Sequence, residues 1–222
     1  MIYLIFFLFA LLSWIVSSSL EHKIKEYSKI PVALTGKQVA EKMLRENGIT
    51  DVQVVSTGGH LTDHYNPATK TVNLSEAVYS GANIAAAAVA AHECGHALQH
   101  AQAYAPLKLR SALVPTVNFA SRWMSWILLI GIIMVETFPL LLEVGIGLYA
   151  LTTLFAFVTL PVEINASRRA LAWLNDAGIT TFETHQAARS ALKSAAYTYV
   201  VAAMASLATL FYYVLILVSR RD

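Results

Sequence analysis

Residues 119–160 read FASRWMSWILLIGIIMVETFPLLLEVGIGLYALTTLFAFVTL, and this run decides the fold class of the chain. A helix of about 20 residues, rising about 1.5 Å per residue, crosses about 30 Å of hydrocarbon. The run is therefore too long for one crossing, and Glu136 and Glu143 interrupt its middle. The pattern predicts two membrane helices, residues 119–135 and 140–160, joined by a tight hairpin.

Two other apolar runs predict two more membrane helices. Residues 2–20 carry no charge, and residues 200–218 form the last apolar run of the chain. A cleaved signal peptide is the alternative for the first run. It is disfavoured because the basic residues Lys23 and Lys25 follow the apolar run and none precedes it.

The composition agrees with a membrane protein. Of the 222 residues, 56% are apolar and only 14% are charged, whereas soluble domains have about 45–50% apolar and about 25% charged residues. The net charge of +2 argues against a nucleic-acid partner. The single cysteine, Cys94, excludes a disulfide scaffold and any metal site built from several thiolates.

Two polar regions, residues 21–118 and 161–198, lie between the predicted spans. An even number of crossings separates them, so both lie on one side of the membrane. All Lys and Arg residues except Arg220 and Arg221 belong to these regions or, for Arg122, to the adjacent end of the second span. The positive-inside rule therefore places both regions in the cytoplasm, although the C-terminal arginine pair argues mildly against this orientation.

The first polar region has the patterns of a small folded domain. A helix is predicted at residues 37–47, and β-branched runs at residues 52–56 and 70–74 predict a small sheet or hairpin. From Asn83 onward an alanine-rich stretch predicts a helix that is too short to span and is therefore buried in the domain. The predicted fold is mainly α, a multi-pass membrane protein with about four transmembrane helices and a compact domain.

The buried helix contains His92-Glu93-Cys94-Gly95-His96, the H-E-x-x-H pattern. Histidines four apart lie about 40° apart around a helix, so both imidazoles can bind one metal ion. Glu93 projects beside them and can take a proton from water and pass it to a leaving amine, which contributes about 10²–10⁴-fold in rate. The pattern predicts a zinc site with Glu93 as general base.

Neighbouring residues are weaker ligand candidates. Cys94 points about 200° away from His92 on the helix and is expected to be a core thiol. His100 lies on the histidine face, but zinc with bonds of about 2.0–2.1 Å cannot reach three imidazoles spread over two turns. Gln99 and Gln102 occupy positions where the longer metzincin pattern has glycine and histidine.

A catalytic zinc needs a third protein ligand and an open position. Glu163 is the strongest candidate by local sequence, because Pro161 predicts the start of a fresh cytoplasmic helix that would hold this carboxylate in its first turn. An interfacial glutamate that balances Arg168 and Arg169 is the alternative. The other candidates are His60, Asp63, His64, Glu76, Asp176, Glu183 and His185.

Five stretches together resemble a known family. They are residues 61–76, 92–102, 105–115, 160–169 and 198–203, and the similarity covers nearly the whole chain. This set is similar to the bacterial membrane neutral zinc metallopeptidases of the YugP-like family. The resemblance implies a zincin-like, gluzincin-type domain in a bacterial cytoplasmic (inner) membrane.

The resemblance also implies roles for individual residues. His92 and His96 match the zinc histidines, Glu93 the general base and Glu163 the later glutamate ligand. More distantly, residues 163–167 (EINAS) resemble the Glu-x-x-Ala-Asp element of the membrane peptidases related to the heat-shock protease HtpX and to the CaaX prenyl proteases. Serine replaces aspartate at Ser167, so the role of that position stays open.

The predicted function is a membrane-embedded, zinc-dependent endopeptidase with one Zn²⁺ ion, acting on membrane or membrane-proximal proteins. Tyr199, His64 and His185 are candidates for stabilising the transition state or contacting substrate. The alternative is a membrane adaptor or chaperone with a structural metal site, for which Glu93 would have no use. An intramembrane protease is disfavoured because it would carry the motif inside a hydrophobic span. Substrate identity and homo-oligomerisation stay open.

Overall fold

The computed structural model describes residues 2–219, with side chains from residue 4 onward; Arg220 and Arg221 lie outside the described residues. The protein is mainly α with one small sheet, as the sequence predicts. Its elements in chain order are α1 (Ile2–Tyr27), α2 (Gly36–Glu46), β1 (Gln53–Thr57), β2 (His64–Asn66), β3 (Thr71–Ser75), α3 (Glu76–Ser80), α4 (Ile84–Ala101), α5 (Ala105–Ile133), α6 (Pro139–Asp176) and α7 (Phe182–Ser219).

The chain divides into two compact units. Among the described residues, one unit contains the chain up to Ile15, Lys108–Leu160 and the chain from Thr198 onward; the other contains Val16–Leu107 and Pro161–Tyr197. The first is called here the apolar unit and the second the domain unit. Within residues 2–219, four helices (α1, α5, α6 and α7) are long and apolar enough to cross a membrane.

The apolar unit keeps many large apolar side chains exposed. Trp14, Trp126 and Phe211 are examples, each more than half accessible. Inside the unit, the backbone of α6 at Leu142 lies so close to Gly131 of α5 that a Cβ at this glycine would lie 2.8 Å from it. This exposure of apolar surface is expected of helices that face lipid.

The domain unit is built around α4, which the alanine-rich sequence predicts. Asn83 caps its N-terminus, where the side-chain oxygen accepts a hydrogen bond from the Ala86 backbone N–H at 2.9 Å. Most residues of α4 are buried, and the small alanine side chains pack with apolar residues of α2 such as Val39 and Met43 in one core. The helix is thus a core helix of the domain unit.

The small sheet is confirmed, but its topology differs from a simple hairpin. The strand order is β1-β3-β2, with β1 parallel to β3 and β2 antiparallel to β3. The two predicted strands correspond to β1 and β3, and the 13 residues between them are long enough for the crossover that a parallel pair requires. The short strand β2, which the sequence analysis missed, lies within this connection and forms one edge of the sheet.

The predicted start of a new helix at Pro161 is wrong. Helix α6 runs without a break from Pro139 to Asp176 and contains Pro161 in its interior. Proline removes one helical hydrogen bond, but Val162 and Ala166 are fully buried in the following turn, so packing maintains the helix. Glu163 therefore lies in mid-helix and not in a first turn.

Candidate metal centre

Three side chains of the domain unit converge on one point. His92 and His96 occupy successive turns of α4, and their ring centroids lie 4.9 Å apart with the planes at 84°. The Nε2 atoms of both rings face the same oxygen, Oε2 of Glu163, at 3.2 and 3.5 Å. The candidate ligand atoms all lie within 4.8 Å of one another, and within residues 2–219 this is the one group of three such side chains.

A glycine lets α6 bring Glu163 to this point. A Cβ added at Gly95 would lie 2.7 Å from the carbonyl oxygen of Ala166, closer than real Cβ contacts. The backbones of α4 and α6 therefore approach each other at a position between the two histidines. Glu163 lies one turn before Ala166 and is 97% buried, so its carboxylate has a fixed place in the domain unit.

The second nitrogen of each imidazole also has a partner. Nδ1 of His92 lies 3.1 Å from the hydroxyl oxygen of Ser167, and Nδ1 of His96 lies 3.0 Å from the amide oxygen of Gln99. Metal-binding histidines usually use their other nitrogen in this way, which orients the ring. The sequence left the role of Ser167 open, and the structure places its hydroxyl beside His92. Gln99 was missed as a support, although its spacing of three from His96 on a helix was a signal.

Glu93 lies beside the histidines and is held by the sheet. Its Oε2 accepts a hydrogen bond of 3.0 Å from the backbone N–H of Tyr65 in β2. The Tyr65 hydroxyl in turn pairs at 2.8 Å with Nδ1 of His100, on the same helix as Glu93. His100, the rival histidine of the sequence analysis, thus contacts strand β2, and it is exposed.

The charge of the centre favours a cation. Burial alone would lower the pKa of His96, but the hydrogen bond that its protonated ring donates to Glu163 and the negative charges of Glu93 and Glu163 raise this pKa above its ordinary value. Two carboxylates around two imidazoles in a buried place therefore attract positive charge, whether a proton or a metal ion. Metal binding would have to compete with protonation of His96.

The sequence of the whole chain identifies its family. A sequence model of the family described as "Putative neutral zinc metallopeptidase" matches residues 2–218. The chain belongs to this zinc metallopeptidase family. It is also 39% identical to the "Putative membrane protease YugP" of Bacillus subtilis (strain 168) over 213 residues, which are 95% of this chain and 94% of that protein. No solved structure matches the chain.

The distances from Glu163 to the two histidines fit a zinc ion. Ligand atoms on a tetrahedral zinc with bonds of about 2.0–2.1 Å lie about 3.3–3.4 Å apart. The two distances from Glu163 Oε2 to the histidine nitrogens, 3.2 and 3.5 Å, are close to that value. Two imidazoles and one carboxylate are also the donor set of many catalytic zinc sites, which leaves a fourth position for water or substrate.

The remaining ligand candidates from the sequence do not join this centre. Asp63 accepts hydrogen bonds from the backbone N–H and the hydroxyl of Ser75, at 2.7 and 3.1 Å. Nδ1 of His64 lies 2.8 Å from the Thr62 carbonyl oxygen, and Nδ1 of His185 lies 3.3 Å from the Thr180 hydroxyl. The candidates His60, Glu76, Asp176 and Glu183 are exposed.

Cys94 and Tyr199 are two further candidates from the sequence, the first for metal binding and the second for contacting substrate. Cys94 is fully buried, and its thiol lies 3.6 Å from the Ala40 carbonyl oxygen of α2. Burial raises the pKa of this thiol well above its ordinary value, so it stays protonated as a core residue. Tyr199 belongs to α7 within the apolar unit, where 38% of its surface is exposed.

Proposed function

We propose that this protein is a zinc-dependent endopeptidase that cleaves membrane or membrane-proximal proteins, with a gluzincin-type site that binds one Zn²⁺. The observation that carries the proposal is the convergence of His92, His96 and Glu163, in which Oε2 of Glu163 lies 3.2 and 3.5 Å from the two histidine nitrogens, with Glu93 beside them on α4. Membership of the zinc metallopeptidase family supports it. The three converging side chains are the proposed zinc ligands.

A zinc ion held by His92, His96 and Glu163 would supply Lewis acidity, which would polarise the scissile carbonyl and make water a better nucleophile near neutral pH. The chain's own residues do the rest. Glu93 takes the proton from the attacking water and passes it to the leaving amine. Tyr65 holds Oε2 of this carboxylate through its backbone N–H, which leaves Oε1 to exchange the proton. Burial of Glu93 limits competing water around it.

The developing oxyanion needs a donor besides the metal ion. Among the three candidates we propose His64, because it precedes Tyr65 in β2 and its ring is exposed, so that a bound peptide could reach it. His185 pairs with Thr180 at the start of α7, and Tyr199 lies in the apolar unit. These two are the proposed alternatives.

The membrane limits which substrates can reach the site. Glu163 follows the apolar stretch of residues 140–160 on the same helix, only three residues beyond it. Substrates are therefore proposed to be membrane proteins or their juxtamembrane loops. The basic residues that flank the spans, such as Lys23, Arg110 and Arg189, support a cytoplasmic site in a bacterial inner membrane.

The test compares the wild type with Glu93→Gln, which keeps the size of the side chain but removes the base. Both proteins are purified for zinc analysis, and both are expressed in cells lacking the enzyme, whose membrane-protein N-termini are then identified. Glu76→Gln, which changes an exposed glutamate, is the matched control. We expect zinc in all three proteins, and new N-termini with the wild type and the control.

In Glu93→Gln, these cleavages should fall by about 10²–10⁴-fold. The same new termini at the same rate in this variant would remove Glu93 as the base. A zinc ion with four protein ligands and no cleavage by the wild type would instead favour a metal-stabilised adaptor.

A further inference from the structure

Gln99 is a fully buried polar side chain one turn beyond His96 on α4. Its amide makes three contacts. Nε2 lies 2.8 Å from the Val162 carbonyl oxygen and 3.0 Å from Oδ1 of Asn165, and Oε1 lies 3.0 Å from Nδ1 of His96. These contacts join the helix of the two histidines to the helix of Glu163 inside the domain unit.

The neighbours of Gln99 determine which way its amide points. The guanidinium of Arg169 can only donate, and its Nε lies 2.7 Å from Asn165 Oδ1, so Asn165 must present its oxygen there. The backbone carbonyl of Val162 can only accept. Both acceptors face the same end of Gln99, so that end must be the NH₂ group and it uses both its hydrogens on them.

The other end of Gln99 is then the carbonyl oxygen, which can only accept. It faces Nδ1 of His96 at 3.0 Å, whereas the Glu163 carboxylate, which also accepts, lies 3.5 Å from Nε2, beyond the usual length of an N–H···O bond. The amide contact therefore favours the proton on Nδ1. In a neutral imidazole the proton on Nδ1 leaves Nε2 with a free lone pair. Nε2 is the atom that faces Glu163 in the metal centre. The chain of donors and acceptors that starts at Arg169 thus presents His96 in its metal-binding tautomer.

The same reasoning does not apply to His92. Its Nδ1 faces the hydroxyl of Ser167, which can donate or accept a hydrogen bond. The hydroxyl therefore orients the ring without selecting a tautomer. The two histidines of the motif therefore differ. The Gln99 amide favours one tautomer of His96, whereas the Ser167 hydroxyl favours neither tautomer of His92.

We infer that Gln99 is a positioning residue that fixes the Nδ1–H tautomer of His96 and couples it to the Glu163 segment of α6. The inference rests on the proposed function, because it concerns how His96 is made ready to bind zinc in the same centre. Without this amide, the His96 proton can occupy Nε2 and block the lone pair. The Val162 carbonyl and the Asn165 amide oxygen would also each lose a donor in a buried place.

The test reads the tautomer directly in the metal-free full chain. The protein is labelled with ¹⁵N-histidine, held in detergent micelles at an alkaline pH where imidazole is neutral, and examined by NMR correlation of ring nitrogens with ring protons. His96 is assigned from the spectrum of His96→Gln. We expect wild-type His96 to be protonated at Nδ1. Protonation at Nε2 in the wild type would overturn the inference without any further variant.

A matched pair of variants tests whether Gln99 is the cause. Gln99→Met has similar length without the amide, and Gln102→Met makes the same change in a glutamine that accepts from Arg169 but does not contact His96. We expect Gln99→Met to shift His96 toward Nε2–H and to weaken zinc binding by about 10- to 100-fold in a chelator competition. Gln102→Met should change neither measurement.

An unchanged tautomer and unchanged zinc affinity in Gln99→Met would also overturn the inference. Neither measurement depends on hydrolysis. Loss of the proposed peptidase activity with a retained His96 tautomer would therefore count against the proposed function and not against the role of Gln99.

Discussion

Helices α4 and α6 each contribute to the candidate metal centre, but their contributions differ. Helix α4 has 18 residues, lies in the core of the domain unit, and supplies two proposed ligands and the proposed base from five consecutive residues. Helix α6 has 38 residues, most of them apolar, and supplies a single proposed ligand, Glu163. The spacing of the α4 ligands follows from helix geometry, whereas the place of Glu163 depends on contacts between helices.

This difference separates two kinds of change in the protein. Removing His92 or His96 leaves one histidine of a pair whose proximity follows from their spacing of four residues on α4. Changes at the contact between the helices, where Gly95 meets Ala166 and Gln99 meets Val162, move a ligand that is still present. We therefore expect a graded series of effects, from loss of an α4 ligand to loss of a helix cap.

The largest effect is expected for His96→Ala, compared with His100→Ala. Both remove an imidazole from α4, but only His96 faces Glu163, while His100 pairs with Tyr65. Zinc affinity in a chelator competition should fall by more than about 100-fold in His96→Ala, which is beyond the usual effect of losing a supporting hydrogen bond. Equal losses in the two variants would contradict the assignment of His96 as the ligand.

Gly95→Ala tests the contact between the two helices. The added Cβ would lie 2.7 Å from the Ala166 carbonyl oxygen, so the backbones must separate. We expect a loss of about 1–3 kcal/mol in stability, measured as a lower unfolding midpoint in detergent, together with weaker zinc binding.

The control for this change is Gly147→Ala in α6. A Cβ at Gly147 would have no atom within 4 Å apart from its chain neighbours and the nearby backbone of its own helix, so alanine should be neutral or slightly stabilising at this position. If Gly95→Ala behaved like this control, a close approach of α4 and α6 would not be required.

Ser167→Ala tests the support that α6 gives to His92. The variant removes the hydroxyl that lies 3.1 Å from Nδ1 of His92, while the ligand itself remains. Zinc affinity should fall by about tenfold, equivalent to about 1.4 kcal/mol. Ser167→Thr keeps a hydroxyl and should restore most of the affinity, so a loss as large in threonine as in alanine would argue for packing and against the hydrogen bond.

The smallest effect is expected at the start of α4. Asn83→Ala removes the cap on the Ala86 N–H and should cost about 1 kcal/mol in stability. Asn83→Ser keeps a capping oxygen and should recover most of that loss. Because α4 is also held by its buried face, zinc stoichiometry should stay the same in both variants. If Asn83→Ala lost zinc, the cap and not the packing of α4 would be what holds the two histidines in place, against this expectation.

The predictable parts of this protein are those with local patterns. Long apolar runs predict four membrane helices, and the alanine-rich stretch predicts α4, because length and propensity act along the chain. The pair His92 and His96 can be recognised from a spacing of four for the same reason. Strand β2 has only three residues, and its pairing depends on β3, so no local pattern reveals it.

The parts that were missed depend on distant contacts. Proline at 161 predicted a helix start, but burial of Val162 and Ala166 keeps α6 continuous. Gln99 lies three residues from His96 on one helix, which was a local signal, but the orientation of its amide depends on Val162 and Asn165, more than 60 positions away. Glu163 was ranked first by the argument from Pro161, which the continuous helix α6 does not support, and then by the family resemblance. Its sequence separation of 71 from His92 carries no geometric information.

The place of Glu163 is therefore the central claim, and zinc stoichiometry and affinity of Glu163→Ala test it most directly. The comparison uses the purified full chain, with wild type and Glu183→Ala as controls, since Glu183 is an exposed carboxylate on α7. We predict one tightly bound zinc per chain in both controls and an affinity at least about 100-fold weaker in Glu163→Ala. Wild-type zinc content and affinity in Glu163→Ala would contradict the account.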